Sequence, residues 1–222
     1  LDVTGRNDWS STLPFANNSF FYPSVSSSFI LNEIFKLPAA ISFAKLRGSW
    51  AQVGNDTRPY QTNRYYDRIY SNSFTNPSTL YNADLKPEIT SSYEIGLDLR
   101  LLNNRIGVDF AMFNNKSRNQ ILAVPLDPTS GFSNALINAG LINSKGIELK
   151  LTGKIIKNKN FSWNNTLLWS RNRSYVLELA SGITNQTIYS HSGNVTIEAR
   201  VGGLMGDMYG RGFQRSEDGK II

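Results

Sequence analysis

Few residues in this chain have the type and spacing that covalent chemistry needs. His191 is the only histidine and cysteine is absent. A two-histidine metal site, a disulfide and any Cys-ligated metal are therefore excluded. His191 sits in the polar stretch Tyr189-Ser190-His191-Ser192-Gly193 and reads as a solvated loop residue, not a general base. Glu94 and Asp98 fall on one face of a candidate strand, with Cα atoms roughly 13 Å apart at the usual strand rise. That is wider than the carboxylate pairs that hydrolyse glycosides; Asp109, on the next strand, lies nearer. Together with Lys45, Arg47, Arg100, Glu148 and Lys150 they read as a charge network facing a polar lumen. The glycines at 202, 203, 206, 210 and 212 match neither a phosphate loop nor a dinucleotide fingerprint and read as strand bending or a loop. No catalytic residue, cofactor or metal is expected.

Binding chemistry is better represented. Arg58, Tyr60, Arg64, Tyr65, Tyr66, Arg68 and Tyr70 crowd one polar segment that continues to Phe74 and Tyr81. Aromatic faces stack on sugars, and guanidinium groups supply forked donors. The segment is a candidate for ligand contact and, equally, for loops packing on one another or on a partner. Nucleic acid is not an expected partner. The net charge is +6 and the pI about 9.5, but Lys and Arg are scattered, without the tract that phosphate neutralisation requires.

Strands must position these residues. From Tyr93 to Leu101, Tyr93, Ile95, Leu97, Leu99 and Leu101 alternate with Glu94, Gly96, Asp98 and Arg100, a separation that only a period of two produces. Asn103-Asn104 tolerates positive φ and makes a turn. After it, Ile106, Val108, Phe110 and Met112 alternate with Gly107, Asp109 and Ala111. The unit recurs at Ile147, Leu149 and Leu151, and again over Phe161–Trp169, where Phe161, Trp163, Leu167 and Trp169 share a face. Leu46, Gly48 and Trp50 form another apolar face. Phe21–Leu31 is one more strand, with Val25, Phe29 and Leu31 on one side.

Connections alternate strictly in length. Those near Asn103 and Lys157 are very short, and a compact helical turn is expected near Asn32-Glu33 and residue 35. Those over about residues 6–19, 55–89, 123–141 and 176–194 are long. A membrane barrel has this pattern, with short turns on the periplasmic side and long loops outside. The Tyr93 and Ile106 segments match the roughly 9–11 residues of a tilted spanning strand, and aromatic residues gather near strand ends as interfacial girdles do. Mean hydropathy is −0.31, and no apolar run approaches the roughly 20 residues of a spanning helix. Two readings stay open on pattern alone: a barrel wall with Ile95, Leu97, Leu99, Ile106, Val108 and Phe110 facing lipid, or a soluble β-sandwich carbohydrate-binding module with the same residues against a second sheet. A third, a glycan-cleaving enzyme using Glu94 and Asp109, is weakest. The chain opens on Leu1 without a visible signal peptide and reads as a segment of something longer.

Several stretches resemble the C-terminal barrel region of the SusC/RagA family of TonB-dependent outer-membrane transporters from Bacteroidetes-type bacteria. They are Phe21-Tyr22-Pro23-Ser24-Val25-Ser26, Leu46-Arg47-Gly48-Ser49-Trp50, Val53-Gly54-Asn55-Asp56, Leu85-Lys86-Pro87-Glu88 with Tyr93-Glu94-Ile95-Gly96-Leu97-Asp98, Asn138-Ala139-Gly140, Asn143-Ser144-Lys145-Gly146-Ile147-Glu148-Leu149, Phe161-Ser162-Trp163, and Val201-Gly202-Gly203 with Gly206-Asp207-Met208-Tyr209-Gly210. The resemblance implies an all-β fold: an antiparallel transmembrane β-barrel wall of about eight strands, part of a 22-stranded barrel in the bacterial outer membrane. Residues 1–222 would be a partial barrel, with the plug, the TonB-contacting segment and the closing C-terminal strand outside them. It implies import of oligosaccharides or peptides together with a SusD-like surface lipoprotein, energised through TonB, with membrane lipid and lipopolysaccharide around the wall, and no enzymatic step. The motifs themselves read as architectural. Pro87 biases Lys86 to extended backbone, and Gly146 marks a bulge or a close backbone approach.

Overall fold

The structure, a computed structural model, describes residues 1–191 and 195–221. Its largest element is a seven-stranded antiparallel sheet, the wall. Its strands are β1 (Asp2–Trp9), β2 (Ser19–Ile30), β3 (Ile41–Asn55), β4 (Glu88–Leu101), β5 (Ile106–Arg118), β6 (Leu141–Lys157) and β7 (Ser162–Glu178). Each pairs with the next along the chain, an up-and-down meander. The short connections are made as their residues dictate. Leu102, Asn103 and Asn104 all adopt positive φ between β4 and β5. Between β6 and β7 the Asn158 side chain accepts from the backbone N–H groups of Asn160 and Phe161.

Register gives the wall two unlike faces. One row runs Phe29–Leu46–Leu97–Phe110–Leu149–Trp169 across six strands. One residue further along the strands, Lys45, Asp98, Asp109 and Lys150 stand side by side on the other face. Cross-strand neighbours share a face, so along these rows the apolar and charged sets stand on opposite sides of the wall. None of Ile95, Leu97, Leu99, Ile106, Val108 and Phe110 is buried, and Ile95 is 60% exposed. Among the described residues no second sheet lies over this face. The apolar side of a β-sandwich would be covered in that position, so the structure does not favour the sandwich.

The protein core lies elsewhere, among the long connections. Leu13, Leu85 and Leu136 form one buried cluster, with Phe20, Tyr81 and Ile121 packed on it. Val124, Ala135 and Ala180 form a second, with Leu122, Ile137 and Ile183 around it. Leu85 is fully buried. The two clusters join the connections that follow β1, β3, β5 and β7, all at one end of the wall.

Several expectations are corrected. The wall has seven strands, not about eight, because Asn185–His191, Val195–Arg200 and Asp207–Gly210 pair among themselves as a separate three-stranded sheet. His191 therefore ends a strand and is not a loop residue; Ser192 and Gly193 lie outside the described residues. Residues 6–9 belong to β1, so the first long connection is shorter than expected. Leu31 starts the helical turn Leu31–Ile34, where Asn32 Oδ1 accepts from the Ala44 N–H at 2.6 Å. The other long connections carry short strands of their own, at Asp67–Tyr70, Ser73–Thr75, Thr79–Leu80, Ile121–Pro125 and Asn134–Asn138. β4 and β5 run to 14 and 13 residues, beyond what a bilayer needs, since they continue into the loop layer.

β1 and β7 each leave an edge open. Part of the β7 edge is occupied: Leu204 bridges to Tyr175, and the Met205 N–H donates to the Ser174 carbonyl at 2.8 Å. Open edges and an uncovered apolar face are both aggregation surfaces in water. Residues 1–222 expressed alone in detergent-free buffer are expected to aggregate. A monodisperse folded species at 24.8 kDa in size-exclusion chromatography with light scattering would contradict this.

Candidate functional site

On the polar face the charges are arranged around Arg47. Its Nε lies 3.4 Å from Glu94 Oε1 and its Nη1 3.2 Å from Asp109 Oδ1. The guanidinium thus crosses β4 to reach β5. It can do so because the residue opposite it is Gly96, where an added Cβ would collide with the Arg47 side chain. Asp98 stands directly opposite Asp109, an unfavourable like-charge pair by itself. Arg47 on Asp109 and Arg100, 3.8 Å from Asp98, compensate it, and Lys45 and Lys150 are the outer ladder neighbours. Glu148 shares a groove of about 290 Å³ with Arg47, Asp109 and Lys150. All eight lumen candidates therefore stand on one face. Glu94 and Asp109 share a single guanidinium, an arrangement of charge compensation.

Above the wall the long connections are fastened by side chains to backbone. Asn138 is the central clamp. Its Oδ1 accepts from the Lys86 N–H at 2.8 Å, and its Nδ2 donates to the Lys86 carbonyl at 2.7 Å and to the Asn119 carbonyl at 3.0 Å. Glu88 accepts from the Ile121 N–H and from Asn55 Nδ2. Asn17 Nδ2 donates to the carbonyls of Asp84 and Leu85. Asp56 accepts from Ser10 Oγ and Thr12 Oγ1. The segment Leu85-Lys86-Pro87-Glu88 is thus the point at which the connection after β3 is tied to those after β1 and β5. Gly146 makes a close approach and no bulge: the Phe113 ring opposite occupies the space of its missing side chain.

The aromatic segment folds over these clamps. Tyr60 and Tyr65 meet edge to face at 5.5 Å between centroids, as do Tyr65 and Tyr81 at 6.4 Å. The Arg64 guanidinium lies 5.2 Å from the Tyr66 ring centre and 5.1 Å from that of Phe132, which couples residues 56–87 to residues 119–140. Arg68 is spent locally, donating to the carbonyls of Tyr70 and Ser71. Tyr60, Tyr66, Tyr70 and Phe74 remain exposed. The structure therefore brings Tyr60, Arg64, Tyr65 and Tyr66 together and holds Tyr70 and Arg68 on the separate hairpin Asp67–Thr75; Arg58 makes no side-chain hydrogen bond or ion pair among the described residues. Phe132 and Asn138 are contributors that local pattern does not reveal, because their partners are remote in sequence.

A second side-chain cluster braces the sheet of residues 185–210. The buried Glu198 carboxylate accepts from Thr196 Oγ1 at 2.7 Å, Arg200 Nε at 2.8 Å and Asn185 Nδ2 at 3.4 Å. These donors hold its pKa below the usual carboxylate range, the Thr196 hydroxyl most and then Arg200. Arg200 is stacked on the Tyr209 ring at 3.5 Å.

Comparison with known proteins agrees with this geometry. Residues 1–210 match the family described as TonB dependent receptor-like, beta-barrel. TonB-dependent receptor P26 of Formosa agariphila is 30% identical over 191 residues, which are 81% of this chain and 19% of that protein. TonB-dependent receptor SusC of Bacteroides thetaiotaomicron is 25% identical over 196 residues, again 81% and 19%. Among solved structures, a chain of the RagAB peptide importer in the closed-closed state superposes with a TM-score of 0.80 at 22% identity, covering 99% of this chain and 26% of that one. This last likeness is one of fold. The chain spans about a fifth of the length of the curated relatives it matches.

Two outcomes follow from the loop geometry. Asn138→Ala removes three hydrogen bonds at one clamp and is expected to destabilise the loop layer by about 1–3 kcal/mol, read as faster proteolysis within residues 56–87 while the wall strands stay protected. For Glu198 the folded pKa is depressed, so its contribution is complete above the ordinary carboxylate value and is lost as pH falls from there through the folded value. Amides of Val195–Arg200 should lose hydrogen-exchange protection on that acid side, after correction for intrinsic rates. Glu198→Gln should lack this acid step; an identical step in the variant would assign it to another group.

Proposed function

Because the chain belongs to the TonB-dependent receptor β-barrel family, whose members reside in the bacterial outer membrane, we propose that it forms part of the wall and extracellular rim of an importer for oligosaccharides or peptides. The carrying observation is the row Phe29–Leu46–Leu97–Phe110–Leu149–Trp169, apolar and uncovered by protein. Hydrocarbon is the solvent that suits it. In this reading Ile95, Leu97, Leu99, Ile106, Val108 and Phe110 face lipid. Lys45, Arg47, Glu94, Asp98, Arg100, Asp109, Glu148 and Lys150 face the aqueous lumen. Their mixed signs suit a passage for polar cargo, with no covalent step in the work of the protein.

The loop layer is the cargo-facing part. Tyr60, Tyr65 and Tyr66, with Arg58 and Arg64 beside them and Tyr70 and Arg68 on the neighbouring hairpin, offer ring faces and forked donors at the mouth of the wall. The similarity to SusC, and the fold shared with the RagAB importer, support a SusD-like lipoprotein over this mouth and energy supplied through TonB to parts of the protein beyond this segment.

The test uses the whole protein in cells. Tyr60→Ala/Tyr66→Ala removes two exposed rings, and stacking losses of about 0.5–1.5 kcal/mol each predict roughly a tenfold weaker capture of labelled cargo from a panel of oligosaccharides and peptides. Because the segment has no cysteine, single cysteines placed in a cysteine-free background report the wall. Leu97→Cys should resist a water-soluble maleimide, and Asp98→Cys should react. Equal labelling of both would end the barrel reading; unchanged capture by the tyrosine variant would move the binding site elsewhere.

A further inference from the structure

The two faces of the wall differ in charge as well as in polarity. The polar face carries both signs. On the apolar face, up to the bulge between Leu141 and Ile142, there is no Asp or Glu on any of the seven strands. Below the row Ile89–Arg118–Leu141–Glu178 its only basic residues are Lys116, Lys145, Arg171 and Arg173. All four belong to β5, β6 and β7, toward the end where the long connections lie. Lys145 stands directly opposite Arg173, and Arg171 shares its row with Ile147 and Met112. Like charges placed opposite one another are unfavourable, and among the described residues none of the four forms an ion pair. Glu94 borders the same hollow, but its carboxylate is turned to Arg47 on the other face.

Depth gives the cluster a meaning. From Trp163, near the short turn, β7 climbs roughly 20–25 Å to Arg171 and Arg173 at ordinary strand rise and barrel tilt. An outer-membrane apolar band is about 25 Å tall. The cations thus stand at the upper border of the band, where the headgroups of the outer leaflet lie, and Tyr93 and Tyr175 flank them as interfacial aromatic residues do. With Lys145, Arg171 and Arg173 these rings line a hollow of about 550 Å³ whose floor is Ile95, Met112 and Ile147.

We propose that this hollow is a binding site for a phosphorylated glycolipid of the outer leaflet. Its phosphate would be held by Lys145, Arg171 and Arg173, and the upper part of an acyl chain would lie over Ile95, Met112 and Ile147. The proposal rests on the membrane-barrel reading above and adds the ligand and its site. A free anion would satisfy the cations and leave the apolar floor wet; a neutral lipid would do the reverse. Only an anionic headgroup joined to a hydrocarbon chain fits both halves at this depth.

The whole protein, purified in a neutral detergent, is titrated with phosphorylated lipid A and, separately, with the same lipid after phosphatase treatment, and the bound lipid is counted by native mass spectrometry. The wild type should retain the phosphorylated lipid preferentially. Each basic residue near an anionic membrane surface contributes about 1 kcal/mol, so Lys145→Glu/Arg171→Glu/Arg173→Glu should weaken retention by about a hundredfold or more. The neutral triple Lys145→Gln/Arg171→Gln/Arg173→Gln serves if the first variant does not fold. Lys159→Glu, at the short turn, is the matched control and should bind as the wild type does. Equal binding of the phosphatase-treated lipid, or undiminished binding by a folded triple variant, overturns the proposal. So does a change from oligomer to monomer with no change in lipid, which would make the patch a contact between copies. Failure of the cysteine labelling would remove the barrel itself; failure of the titration alone removes only the lipid site.

Discussion

A peptide group in hydrocarbon has no water to bond, and each one left unpaired costs several kcal/mol. That single constraint accounts for most of this molecule. It selects a ladder in which every strand of the wall pairs with its chain neighbour, and the ladder fixes register. Register then decides sides: once Leu97 stands opposite Leu46 and Phe110, Asp98 has no choice but the other face. The segregation of Ile95, Leu97 and Leu99 from Glu94, Asp98 and Arg100 is therefore a property of the pairing as much as of the sequence.

The same constraint explains where the ordinary protein core went. The apolar face of the wall is not covered by a second sheet among the described residues, so the wall has little left to bury in an interior of its own. Burial is transferred to the connections, around Leu13, Leu85 and Leu136, and there water is available to the loop backbone. Amide and carboxylate side chains, Asn138, Glu88 and Asp56 above all, do for the loops what the ladder does for the wall. The aromatic segment inherits its position from these clamps through Tyr81 and through the Arg64–Phe132 contact.

The wall was largely legible in the sequence because its signal is local: period two, Asn103-Asn104 as a turn, and connections alternating in length. The loop layer was not, and the reason is range. Nothing near Asn138 announces that its amide will meet Lys86, and nothing near Arg64 points to Phe132. The tally of about eight strands overshot the wall by one for a related cause. Asn185–His191, Val195–Arg200 and Asp207–Gly210 pair with each other, and the buried Glu198 with its three donors joins residues that local pattern does not connect. Of the candidate ligand residues, Tyr60, Arg64, Tyr65 and Tyr66 converge, whereas Arg68 is taken up by its own hairpin.

The purely sequential meander bears on how such a wall is made. No strand waits for a distant partner, so the entropic toll of closing long loops falls on the connections one at a time. Each completed hairpin presents a bare edge that templates its successor. The contacts of Leu204 and Met205 with Tyr175 and Ser174 show the β7 edge accepting backbone partners in this way. Nearest-neighbour pairing of this kind lets any hairpin of the wall form first and extend from either edge, so the connectivity fixes which strands meet and leaves their order free.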